Sequence, residues 1–422
     1  MAKMKRSLFT ILLFASFFLC SCAQSIVIQD HYVNGKNVLA QKCFSKKNAT
    51  YIIKRQFDLL GATVTLPAGS VLKFEGNGCL SNGTIVGDNS NVESSTKTIR
   101  FSNIIFIGVW HTPEIYSSWF KFGSNPILNT RNFRSMCNLT DNDHKGLIYV
   151  AKGTYPISLD KKNECCFNLN SNTDLVVDGI IKLEPNALKD YQIIQIKNKR
   201  NVNVSGSGTL IGDVERHTGS EGQWGMGIEI LSSENVQVKN LTIKKCWGDC
   251  MYIGQSKYVR ESHSKNVLIE NVTCDAGRRQ GLSIIAGHNI TIKNSRFINT
   301  GSIKFTKPGA GIDIEPNKPN NTVVKNVVVQ KCSFGGNHND LDILTYHLDE
   351  TSSVLIKNCQ LQGNIKIGKY SCNVTVDACV INRVNPEISL IKNIIVKNTK
   401  LKKKYSTKAG RNIIRFENCS YD

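Results

Sequence analysis

The sequence predicts an all-β solenoid, and three observations lead there. A short phrase of two strands recurs along the chain. Its apolar residues alternate with a period of two. Its spacing varies while its pattern does not. The phrase reads NVQVKNLTI from Asn235, NVLIENVTC from Asn266, NITIKNSRF from Asn289 and NVVVQKCSF from Asn326. It returns as SVLIKNCQL from Ser353, NVTVDACVI from Asn373 and NIIVKNTKL from Asn393, with an earlier copy, NVNVSGSGT, from Asn201. A period of two belongs to strands and excludes helical repeats. Self-similarity every few tens of residues signals stacked coils. Coils that keep their strands and vary their loops account for the uneven spacing.

Taken in chain order, the first element is a signal. Residues 1–21 carry a basic start (Lys3, Lys5, Arg6) and an apolar run from Leu8 to Leu19, too short for a lasting membrane span. LCSC, Leu19 to Cys22, resembles the bacterial lipobox, which implies a lipid on Cys22. The expectation is an exported bacterial lipoprotein at the outer membrane or cell surface, held to the membrane by its anchor only.

The formal net charge is +20, of which Lys3, Lys5 and Arg6 supply three. That bias favours polyanionic partners. No nucleic-acid recognition motif accompanies it, so an acidic polysaccharide is the expected partner rather than nucleic acid. Of the 15 cysteines, Cys20 leaves with the signal and Cys22 carries lipid. The odd remainder cannot pair completely, and no C-x-x-C of zinc-binding spacing occurs, so the cysteines read as small buried residues.

Residues 22–132 form an N-terminal β-rich segment with opening coils. ATVTLPAGSVLKFEGNGCLSNGTIVG (Ala62 to Gly87) alternates as the phrase does, whereas VWHTPEIYSSWF breaks the pattern. Residues 133–422 form the solenoid body. Within the phrase, Asn240, Asn271, Asn294, Asn358 and Asn398 fall in register, and Asn tolerates the left-handed backbone of a sharp corner. The next position gives Leu241, Val272, Ser295, Cys332, Cys359, Cys379 and Thr399, an inward ladder.

This pattern resembles the single-stranded right-handed parallel β-helix of the pectate-lyase-like superfamily. KGLIYVAKGTYPI, Lys145 to Ile157, resembles that superfamily's opening coil. A further strand precedes each phrase: WGMGIEI (Trp224–Ile230), CWGDCMYI (Cys246–Ile253), RRQGLSI (Arg278–Ile284), GAGIDIEP (Gly309–Pro316) and HNDLDIL (His338–Leu344). The row resembles the active-site row of polygalacturonases, glycoside hydrolase family 28, where successive strands carry N-T-D, D-D, G-H-G and R-I-K. Most letters differ. Met226 stands for the Asp of N-T-D and Gly248 for the first Asp of D-D, while Asp249 keeps the second. Gln280 stands for the His. Asp313 and Glu315 replace the Arg and Lys that hold a uronate carboxylate in that family. The resemblance therefore implies the fold and the place of the site, not polygalacturonase activity.

Alignment of the row puts Glu229, Tyr252, Ser283, Asp313 and Asp342 in one outward column. Two neighbouring carboxyls disfavour double ionisation, and a raised carboxyl suits a general acid. The catalytic candidates are thus Asp249, Asp313, Glu315 and Asp342. Trp224, Trp247 and Tyr252 are candidate stacking platforms for sugar. Glu229 and Gln280 are further substrate contacts, and Arg278 and Arg279 are candidate anion binders. Asn339, Asp340 and Asp342 could hold Ca²⁺, although no loop of regular ligand spacing surrounds them. His338 and His347 read as loop residues, and no other metal or cofactor is expected. The leading expectation is a glycoside hydrolase acting on a complex polysaccharide. The alternatives are a polysaccharide lyase or uronate epimerase in the same cleft, and a non-catalytic glycan-binding or adhesin β-helix.

Overall fold

The computed structural model describes residues 24–161, 164–257, 262–316, 322, 324–344, 353–368, 371–387, 391–403 and 414–421. The expected signal, residues 1–21, the lipidation position Cys22, and His347 lie outside them. The described coils of the body contribute strands to three parallel sheets, of 12, 11 and 9 strands, and a complete coil gives one strand to each. One full coil runs through Ser264–Glu270, Thr273–Asp275 and Gln280–Ile284. The recurring phrase supplies the first two strands of every coil, and the row with the candidate acids forms the 9-stranded sheet. The chain is all-β apart from short helical pieces, as expected.

The corner between the phrase's two strands is a single left-handed residue. Asn240, Asn271, Asn294, Asn358 and Asn398 have φ of 62°, 54°, 53°, 54° and 50°. Asn pays least among side-chain-bearing residues for that conformation. The Asn that opens the phrase is also left-handed, and its amide bonds to the equivalent residue one coil away. Asn235 donates to Asn201 at 3.2 Å, Asn266 to Asn235 at 3.1 Å, and Asn289 to Asn266 at 3.0 Å. These ladders satisfy polar side chains coil to coil and fix the stacking register.

The core is a set of inward columns. Leu241, Val272, Ser295, Cys332, Cys359, Cys379 and Thr399 are all buried, and the cysteines of this ladder, Cys332, Cys359 and Cys379, form no disulfide. In the 9-stranded sheet the register stacks Ile228 on Met251, Leu282, Ile312, Leu341, Ile365 and Val384. Burial of each such side chain contributes about 1.5–3 kcal/mol relative to its exposure.

The N-terminal residues do not stand apart from this core. Thr50–Ile53 pairs in parallel with Val71–Phe74, which pairs with Cys79–Ser94. One apolar cluster runs unbroken from Ile28 to Ile414. The stretch expected to break the pattern supplies Glu114–Tyr116, the first strand of the 12-stranded sheet. The boundary expected at 132/133 falls inside a helix, Pro126–Asn138. Asn125 caps that helix by accepting from the Ile127 and Leu128 amides, and Pro126 has no amide hydrogen to strand there. Phe133, Met136 and Cys137 on its buried face join the same apolar cluster.

Candidate functional site

The outward column of the 9-stranded sheet follows the register Gln195, Glu229, Tyr252, Ser283, Asp313, Asp342, Lys366, Asn385. Alternation places these side chains opposite the core columns. Asp313 and Asp342 are direct neighbours on adjacent strands, about 4.8 Å apart. The row continues two strands beyond the five read from sequence, Asn364–Ile367, which brings Lys366, and Arg383–Pro386, which brings Asn385.

Asp313, Glu315, Asp342, Arg279 and Lys366 line a cleft of about 550 Å³, whose rim includes Gln223, Lys307 and His338. Asp313 and Asp342 are 1% and 3% exposed, although they face the cleft. Gln280, fully buried, donates from Nε2 to Asp313 Oδ2 at 2.7 Å. The Ala310 amide donates to Gln280 Oε1 at 2.7 Å, which fixes the orientation of that amide group. Lys366 Nζ lies 3.3 Å from Asp342 Oδ2 and 3.7 Å from Glu387. Asp342 Oδ1 is buried and has no hydrogen-bond partner among the described residues.

Asp249 sits deeper. It is fully buried and does not line the cleft. Its Oδ2 accepts from Ser283 Oγ at 2.7 Å and from Arg279 Nη1 at 3.2 Å. Arg279 Nη2 reaches Glu315 at 3.6 Å. One guanidinium therefore ties the buried acid to the cleft wall.

Burial pushes the Asp313 carboxyl well above its ordinary value. Glu315 and Asp342 push it further, against the opposing pull of Arg279. Burial also raises Asp342, with Lys366 opposing, and raises Asp249, with Arg279 and Ser283 opposing. Glu229, buried and accepting from Gln195, is raised by burial as well. Burial alone would lower the two cations. The surrounding carboxylates, led by Asp249 for Arg279 and by Asp342 for Lys366, outweigh it and hold both above their ordinary values.

Three expected substrate contacts are placed elsewhere. Trp247 is buried, stacked on His217 at 3.7 Å between centroids, with the Arg278 guanidinium 3.6 Å from its ring. Both its faces are covered, so it offers no platform to a sugar. Arg278 is itself buried. It donates from Nε to the Trp247 carbonyl at 2.6 Å and from Nη2 to the Gly222 carbonyl, so it holds loops rather than an external anion. Gln280 touches Asp313 and is closed off from the cleft. Trp224, by contrast, is 48% exposed beside Gln223 of the rim. Tyr252 is half-buried in the column.

Several of the oxygens considered for Ca²⁺ have protein donors. Asp340 accepts from Asn337 Nδ2 at 2.9 Å and from the Gly363 amide at 2.6 Å, and Asp342 accepts from Lys366. Among the described residues no group of three His, Cys, Asp or Glu side chains is arranged to hold a metal ion.

Sequence reasoning missed Lys366 and Phe305. The NIKI of Asn364–Ile367 carries the alternating signal and extends the row. Phe305 is 47% exposed and packs against His338, with ring centroids 5.0 Å apart. It sits on a loop between strands, where no periodicity marks it.

A family model described as a right handed beta helix region matches residues 135–342. The chain is a right-handed parallel β-helix. Two proteins of Bacillus subtilis (strain 168) are similar in sequence. The SPbeta prophage-derived uncharacterized protein YorA is 27% identical over 215 residues, covering 46% of this chain and 36% of that protein. The uncharacterized protein YclG is 27% identical over 186 residues, covering 40% and 32%. The chain thus spans about a third of the length of these curated relatives. Among solved structures, the tailspike protein gp49 from Acinetobacter baumannii bacteriophage Fri1, a capsular polysaccharide depolymerase, superimposes with a TM-score of 0.50 at 13% identity, covering 73% of this chain and 61% of that one.

Proposed function

We propose that the chain is a glycoside hydrolase that cleaves a complex polysaccharide, with Asp313 as general acid and Asp342 as its carboxylate partner. The observation that carries this reading is the adjacent pair itself: two carboxyls on neighbouring coils, both buried, both facing an open cleft. Burial among like charges keeps Asp313 protonated, as a general acid requires. Its Oδ2 accepts from Gln280, so the acidic hydrogen belongs on Oδ1. Asp342 is held by Lys366, which favours the ionised form and leaves Oδ1 unengaged. Asp313 protonates the leaving oxygen. Carboxyl groups about 5–5.5 Å apart would make Asp342 the nucleophile of a double displacement, and about 6.5–9.5 Å the base that activates water. Asp249 positions Ser283 and Arg279. Exposed Trp224 and Phe305 offer ring faces to sugar.

The lyase and epimerase readings need a neutral base to remove a C5 proton. Two basic groups of the cleft, Arg279 and Lys366, have carboxylates that hold them protonated, which leaves His338 and Lys307 at the rim as the groups those readings would have to use. The relative whose fold is shared, the phage tailspike, is a capsular polysaccharide depolymerase.

The test is digestion of a glycan panel with the chain from Ala23, following reducing ends, ultraviolet absorbance and the anomeric proton. Hydrolysis gives reducing ends without new absorbance, and the anomer that appears first tells the nucleophile role of Asp342 from the base role. Asp313→Asn and Asp342→Asn each lower turnover about 10²–10⁴-fold in a folded protein. Full activity in either variant, or products with a conjugated double bond, overturns the assignment. Attachment to the outer membrane or cell surface through Cys22 belongs to the same proposal. Cys22→Ser should abolish incorporation of labelled fatty acid.

A further inference from the structure

A second cleft, of about 950 Å³, opens on the N-terminal coils. Three cations line it: Lys97, Arg100 and Lys121. Among the described residues no carboxylate does. Arg100 is 1% exposed. It donates from Nε to Ser94 Oγ at 3.0 Å and from Nη1 to the carbonyls of Gly76 and Gly78 at 2.9 and 2.8 Å; its Nη2 donates to Thr96 Oγ1. Every one of these partners is neutral. Among the described residues no carboxylate lies within ion-pair reach of it. Nearby acids are committed elsewhere: Glu75 to Lys54 and Lys73, and Asp58 to Lys36.

A buried guanidinium ringed only by dipoles is a fixed, uncompensated positive charge. Lys97 and Lys121 stand exposed at the same opening. Lys97 is held over the Tyr116 ring at 4.0 Å, a contact that places its charge without neutralising it. Cys79 registers the field. Burial raises its thiol, and Arg100 and Lys121 both pull it down. The remaining lining combines side-chain amides and hydroxyls (Gln56, Asn77, Ser102) with exposed Ile99. Hydroxyl partners beside an apolar patch suit a sugar ring better than a bare inorganic anion.

We infer that this cleft binds an acidic sugar residue, its carboxylate held by Lys97 and Lys121 over the buried charge of Arg100. The anion site stands on its own observations, and the sugar rests on the polysaccharide reading. Along the 12-stranded sheet the register steps from Glu114 through Leu147, Asp174, Asn203, Gln237 and Leu268 to Thr291. The cleft therefore lies roughly six coils, about 30 Å, from the Asp313 level. A chain of acidic sugars could be gripped at one end of the solenoid and engaged by the carboxylates further along.

The experiment is isothermal titration of the full chain from Ala23 with a glucuronate-containing oligosaccharide, a neutral glucose oligosaccharide of equal length, and sulfate. The acidic oligosaccharide is expected to bind, more weakly as salt rises, and the neutral one at least about tenfold more weakly. Lys97→Glu and Lys121→Glu, both at exposed positions, should each weaken the acidic ligand about tenfold. Lys239→Met, on the 12-stranded sheet and lining neither cleft, should leave it unchanged. Equal binding of acidic and neutral chains, or no effect of both lysine variants, overturns the site. Sulfate binding without glucuronate binding overturns the sugar. Hydrolysis is not read, so failure of the catalytic proposal would leave this result standing.

Discussion

Two sheets of this solenoid are built on the same alternation and end in opposite surfaces. In the 12-stranded sheet the outward column runs Gln237, Leu268, Thr291, Val328, Leu355, Thr375, and each of these is half-buried. In the 9-stranded sheet the outward column holds Ser283, Asp313 and Asp342, each buried. Backbone geometry does not separate the two, since both are parallel with inward Ile and Val. The difference is what lies over the outward face. Loops that close the 9-stranded side reach across coils, as when Lys304 Nζ donates to the His217 carbonyl at 3.1 Å. They remove water from side chains that a bare sheet would leave solvated. Burial of carboxylates costs stability unless cations and hydrogen bonds offset it. A fold needs no such column, which supports the proposal that the 9-stranded side is the working face.

The contrast can be broken at its ion pairs. On the working face Arg279 joins Asp249 and Glu315, with 13% side-chain exposure. On the other face Lys293 joins Glu270 at 2.9 Å with about a third of its side chain exposed. Arg279→Met strands a buried Asp249, and a loss of roughly 3 kcal/mol is expected in denaturant unfolding. Lys293→Met should cost no more than about 0.5 kcal/mol. Equal losses would show that the two faces do not differ in the way described.

The dependence on pH sharpens the same point. Asp249, Asp313 and Asp342 are raised in the folded chain. Above about pH 4, the unfolded Asp value, the folded state therefore binds more protons than the unfolded state. Stability then falls as pH rises through that window. Asp58, Asp141 and Asp178, lowered in the folded chain, act in the opposite sense below about pH 4. Melting temperature should therefore peak at mildly acidic pH. Asp313→Asn should flatten the decline on the alkaline side and leave the acid limb in place. An unchanged alkaline slope would mean that Asp313 is ionised throughout.

The strands were legible because alternation and register are local. The phrase fixed which residues face inward, and the outward column from Glu229 to Asp342 follows from counting in twos. Lys366 was legible by the same rule and lay one coil further on. Trp247 and Arg278 were not, because their roles come from contacts across coils. Arg278 meets the Gly222 carbonyl, 56 residues away, and Trp247 stacks on His217, 30 residues away in the chain. Side chains of loops carry no period, so Phe305 gave no signal. The Asp313 environment was half legible. Its acidic neighbours follow from register, whereas Gln280 beneath it is recognisable only once the coils are stacked.

The smallest effect expected lies at the corners. Asn271 has φ of 54° and its amide donates to Asn240 Oδ1 at 2.9 Å. Asn271→Ala removes that bond and places a residue less tolerant of the left-handed region at a turn the strands on both sides depend on. Ala378, with φ of 51°, fills the equivalent corner elsewhere, so the fold accepts the change. The expected loss is about 1 kcal/mol, read as a lower denaturant midpoint with unchanged slope. Because the corner belongs to the phrase and not to the working face, turnover should be unaffected. A drop in turnover at equal folded fraction would mean that coil stacking at this corner sets the carboxylate spacing as well as the stability.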